Sequence, residues 1–174
     1  IRDYKRKPTE CLTVVRELDS KGKPEYIVIT RDVIFKHTDE DLRPYFRDKA
    51  FLTCSGQLAQ VGKEVYLNVE FNIASPNAQK DFGALSEGSL LRLTLLDGTE
   101  LDLVNLQGDA GQIDTYSGNT IFVGRYNLDS AQQRKASKSE LDKMRVVWST
   151  GYEDYDVLDV DFLIDQFSCL ETQQ

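Results

Sequence analysis

Carboxylates are the most concentrated chemical resource of this sequence. Glu153, Asp154, Asp156, Asp159, Asp161 and Asp165 crowd the segment between residues 153 and 165. Paired carboxylates serve as general acid and general base in glycoside hydrolysis when they face each other across a cleft, at roughly 5 Å or roughly 6.5–9.5 Å. Spacing along a chain does not supply that separation. Acids also gather where a helix begins, because the dipole is positive there. A solvated helix start is therefore the plainer account, and an acidic docking surface the next.

Other catalytic equipment is sparse. His37 is the single histidine and sits in the polar stretch Lys36-His37-Thr38-Asp39, as a surface residue would. A zinc site built on several histidines is excluded within one chain, and a Cys–His dyad would have to use His37. No GxSxG elbow, Walker loop, HExxH or GxGxxG occurs. Cys11, Cys54 and Cys169 form no CxxC pair. Three thiols cannot all pair within a chain. The expectation is three small buried apolar side chains, the alternative a Cys11–Cys169 bridge that clamps the two ends.

Two further features bear on binding. The Gly-rich stretch 105–119 is the longest irregular segment, and long loops in small domains often carry function. Its Asp109 and Asp114 could supply oxygens to Ca²⁺, but their spacing matches no EF-hand. A plain connection between strands is the expectation, with Tyr116 as a recognition contact. Trp148 follows Val146 and Val147 and reads as core. Tyr152 and Tyr155 flank the acids beside Gly151 and read as exposed, able to stack on a sugar or anchor a partner. The expected binding residues are thus Tyr116, Tyr152, Tyr155, Asp154 and Asp156.

The elements that must position these groups follow from periodicity. In residues 64–74, Val65, Leu67, Val69, Phe71 and Ile73 alternate with Tyr66, Asn68, Glu70 and Asn72. A period of two puts the first set on the core face of a strand and the second on a wet or partner-facing side. Leu91, Leu93 and Leu95 lead to Asp97-Gly98, and Leu101 and Leu103 follow, a hairpin with an expected type I′ turn. Strands are also expected at 11–18, 25–35, 50–61, 119–126 and 144–149. The residues 38–46 suggest a helical turn capped by Thr38. Ser137 and Glu140 have capping-box spacing, which predicts a short helix over 137–143, with a start as early as Asp129. Val160, Leu163, Ile164, Phe167 and Leu170 recur at three and four and predict a terminal amphipathic helix. The sum is a mainly β domain, a β-sandwich or barrel-like arrangement of about eight strands, spanning residues 1–174 with 1–9 as a tail.

Composition narrows the partners. The net charge of −8, from 29 acids and 21 bases, repels nucleic acid and anionic lipid at long range. The one basic cluster, Arg2, Lys5, Arg6 and Lys7, lies in the tail. No apolar run nears the roughly 18 residues of a membrane span. The start at Ile1 fits a processed periplasmic or extracellular chain. The expected function is a non-enzymatic binding or assembly domain making protein–protein contacts. The alternative is a carbohydrate-binding or carboxylate-dependent hydrolytic domain.

Overall fold

In the computed structural model, residues 10–174 are described, so the cluster Arg2, Lys5, Arg6 and Lys7 lies outside them. Among the described residues, alternating side chains build eleven strands in two sheets. The seven-stranded sheet, curved into a half-barrel, holds β1 (Thr13–Leu18), β2 (Pro24–Ile29), β3 (Asp32–His37), β4 (Leu52–Val61), β5 (Glu64–Ile73), β8 (Gln112–Ile113) and β9 (Thr120–Leu128). Its order is β1-β2-β4-β5-β9-β8, with β3 also on β4. The four-stranded sheet holds β6 (Leu90–Leu95), β7 (Glu100–Val104), β10 (Leu141–Trp148) and β11 (Gly151–Asp156), in the order β11-β10-β6-β7.

The core lies between the inward faces. Val65, Leu67, Val69, Phe71 and Ile73 are all buried, as their alternation requires, and Leu91, Leu93, Leu101, Leu103, Met144 and Val146 join the same cluster from the smaller sheet. Trp148 sits at its centre, edge-on to Phe71, Phe122 and Phe82 at centroid distances of 5.1, 5.2 and 5.0 Å, the geometry aromatic quadrupoles favour. Phe82 comes from α2 (Ala78–Phe82), a short helix between the sheets' strands in sequence.

The chain departs from its periodicity in five places. Residues 25–35 form two strands, because β2 pairs with the far end of β4 and β3 with its near end. The hairpin turns at Asp97-Gly98, but only Gly98 has positive φ, at 88°. Gly98 N donates to Leu95 O at 2.9 Å and Leu95 N to Thr99 O at 2.8 Å, so a type I turn is followed by a glycine bulge rather than type I′. The helix expected over 137–143 lies earlier, as α3 (Ser130–Ala136), where Asp129 and Gln132 make the capping box. β10 already begins at Leu141, because that stretch pairs with β6 and β11. Near residue 40, a 3-10 turn (Glu40–Leu42) and α1 (Arg43–Phe46) follow Asp39 as N-cap, while Thr38 Oγ1 accepts from Phe51 N at 3.0 Å. Finally, α4 (Phe162–Thr172) starts after Val160 and buries Phe162, Leu163, Gln166, Cys169 and Leu170. Ile164 and Phe167 are only half-buried.

A disulfide joins Cys11 to Cys169, against the expectation of free thiols. Both β1 and α4 meet β2, which brings the two Cα atoms to 5.1 Å, within bridging reach. Cys54 alone is free, and it is buried. No helix among the described residues is long and apolar enough to cross a membrane.

Candidate functional site

The pairing registers of the small sheet build an ordered outer surface. Asp154 pairs with Arg145, Arg145 with Arg92, and Arg92 with Asp102, one residue from each of β11, β10, β6 and β7. Because Met144 and Val146 point into the core, Arg145 and Val147 point out. Each arginine grips the acid beside it with two N–H groups. Arg145 donates to Asp154 at 2.7 and 3.0 Å, and Arg92 to Asp102 at 2.8 and 3.3 Å. These bonds hold both carboxyls below their usual range and both guanidinium groups above theirs.

An apolar row runs beside the charged one. Val104 pairs with Leu90, and Val147 with Tyr152. Leu90 and Val147 each lie one position beyond the paired Leu91 and Val146. Leu90, Val104 and Tyr152 are 40%, 46% and 61% exposed. The Arg145 guanidinium lies 4.2 Å over the Tyr152 ring, linking the rows. On the other side, Lys143 pairs with Thr94 and with Asp156. The expected residues Tyr152, Asp154 and Asp156 therefore share one face.

Tyr155 does not join them. It was expected to be exposed, but it is 2% exposed and stacks on Phe35 at 4.7 Å. A strand alternates its faces, so residues three apart point opposite ways. Burial, reinforced by a hydrogen bond to the Glu153 carboxylate, pushes the Tyr155 phenol well above its ordinary pKa. His37 stands edge-on to the same ring at 5.2 Å and contacts Asp39 at 2.8 Å.

Tyr116 stands apart, 99% exposed in the loop between β8 and β9 of the larger sheet. The loop acids considered for calcium hold its backbone. Asp109 accepts from Gly111 N at 2.9 Å and Val123 N at 2.6 Å. Asp114 accepts from Tyr116 N at 3.0 Å and from the Ser117 hydroxyl at 2.9 Å, which holds its carboxyl below the usual range. No group of three or more potential ligands gathers for a metal among the described residues. The acidic stretch is likewise dispersed, with Asp161 at the N-cap of α4 and Asp165 in its first turn.

A groove on the larger sheet has no short motif in the sequence to announce it. Its floor is Thr53 and Ser55 of β4 with Glu70 and Asn72 of β5, and its walls include Phe46, Lys49 and Asn119, enclosing about 700 Å³. Arg31 pairs with Glu70 at 3.0 Å, and Asn119 Nδ2 donates to Asn72 Oδ1 at 2.8 Å. The signal for it was the second half of the alternation in residues 64–74, which carries Tyr, Asn and Glu where a merely solvated face would serve.

No family model, curated protein or solved structure matches the chain. Its geometry alone carries the functional reading.

Proposed function

We propose that this chain is a binding domain without catalytic chemistry of its own, and that it seats a protein partner on the outer face of the four-stranded sheet. The observation that carries this reading is the row Val104, Leu90, Val147 and Tyr152, with Tyr152 exposed, Leu90 and Val104 partly so and Val147 half-buried, lying beside two arginines already ordered by aspartates. Protein interfaces concentrate tyrosine and arginine at their centres, with aliphatic groups excluding water around them. An arginine held in place before binding loses less side-chain entropy on association. A hydrolytic role would need two carboxylates facing across a cleft, whereas Asp154 lies in the fork of Arg145 on an open sheet face. The Cys11–Cys169 bridge supports an oxidising compartment as the place of action.

Affinity capture from the native source tests the reading when wild type is compared with a Leu90→Ser/Tyr152→Ala variant. A protein held by wild type and lost from the variant supports it. Equal capture by both overturns it.

A further inference from the structure

We infer that the outer face of the seven-stranded sheet is a second binding site, for a saccharide bearing a carboxylate, with Arg125 receiving the acid group.

The registers of β4, β5 and β9 lay out the face in rows. Thr53 pairs with Asn72, Ser55 with Glu70, and Gln57 with Asn68, which in turn pairs with Arg125. Tyr66 pairs with Asn127 beside them. From Thr53 to Gln57 the rows extend roughly 13 Å at about 3.3 Å per residue, room for a short oligosaccharide, and Ala59 beyond them is buried. Hydroxyl and amide side chains dominate this floor. An amide offers both donor and acceptor, and so does each sugar hydroxyl, so the two groups satisfy each other in pairs.

Arg125 supplies the charge preference. Its guanidinium lies 4.0 Å over the Tyr66 ring, which fixes its plane. Its Nε is buried without a hydrogen-bond partner, and the guanidinium pairs with no acid among the described residues. With Nε shielded from solvent, the Nη1 and Nη2 groups are the ones a ligand can reach, and with no acid on them among the described residues, in a chain of net charge −8, they offer a fork to a planar carboxylate. Lys36 and Lys49 stand at the groove with Asp48, and Arg31 neutralises Glu70. Glu64 accepts from Asn127 at the end of the same face, so Arg31, Lys36, Lys49 and Arg125 stand against Asp48, Glu64 and Glu70, a slight excess of positive charge on an acidic molecule. The middle strands are laddered on both edges, so they offer no free backbone to an extended peptide. A densely charged polyanion meets long-range repulsion from the rest of the chain, which favours carboxylates spaced along a sugar chain.

The test is calorimetry of the full chain with oligomers of galacturonic, mannuronic and glucuronic acid, each against its methyl ester. Wild type should bind at least one acid oligomer more tightly than its ester. Arg125→Gln should weaken that acid at least tenfold and leave the ester unchanged. Asn68→Ala should weaken both. Arg92→Gln and Leu90→Ser/Tyr152→Ala, on the other sheet, should bind like wild type, which separates this site from the protein-binding face. The circular dichroism of each variant should match wild type, and Arg125→Lys, which keeps the charge without the fork, should recover only part of the binding. The inference is overturned if no acid oligomer binds, if Arg125→Gln binds like wild type, or if an oligoaspartate peptide binds as well as the sugar acids.

Discussion

The side chain of Gln166 stands in for a strand at Leu58. Leu58 N donates to Gln166 Oε1 at 2.9 Å, and Gln166 Nε2 donates to Thr30 O at 3.1 Å. β2 leaves β4 after the Val28–Ala59 pair, and β3 joins it only at Gly56. Leu58 lies in the gap, fully buried, where its N–H would otherwise have no partner. One glutamine on α4 splices the break and ties the helix to the sheet. Gln166→Leu keeps the bulk and removes the acceptor, so stability should fall by about 1–3 kcal/mol, the cost of an unsatisfied buried donor. Urea unfolding measures this, and a midpoint unchanged from wild type would refute the splice.

The bridge between Cys11 and Cys169 closes a sequence separation of 158 residues. Loop-closure entropy grows with loop length, so Cys11→Ser/Cys169→Ser should lose about 3–5 kcal/mol. Reductant should lower the melting temperature of wild type and leave the double variant unchanged. Cys54 should resist labelling in the native state, because burial pushes its thiol well above the ordinary range and shields it from reagent. Rapid labelling of Cys54 under native conditions would contradict its placement.

Val69 lies in β5 with its side chain in the core. Val69→Asp places an unpaired charge among apolar groups, which costs several kcal/mol and takes up much of a domain's stability. The variant should be largely unfolded or insoluble. Thermal unfolding equal to wild type would show the core assignment to be wrong.

Acid should loosen the Arg145–Asp154 pair in a defined direction. The folded carboxyl titrates below its ordinary value, so its stabilising contribution is complete above about pH 4, the unfolded value. It is lost as pH falls through the lower folded value. The pair is half exposed, with Asp154 at 50%, so the contribution is modest. Asp154→Asn should therefore be slightly less stable than wild type at neutral pH, and the difference should shrink on acidification. A difference that grows as pH falls would reverse the assignment.

Local periodicity determined the core face of β5, because alternation needs no partner to be read. Asp97-Gly98 likewise located the hairpin from local chemistry. Its turn type depended on how β6 and β7 pair beyond the loop, which dipeptide preference alone does not specify. The polar neighbours of Tyr152 and Tyr155 suggest the surface for both. Once the segment is a strand, a spacing of three sends one outward and one inward, so the tertiary structure decided between them. Ser137 and Glu140 have the capping-box spacing that predicts a helix over 137–143. Pairing of Leu141 and its successors with two neighbouring strands outweighed it. The outward residues of β5 were legible as a polar set, yet the groove above them needs walls from residues 46–50 and 117–119. The Cys11–Cys169 bond, the Gln166 splice and the row from Asp154 to Asp102 share that character. Each depends on residues brought together from different elements, and only packing of the two sheets and α4 around one core creates that proximity.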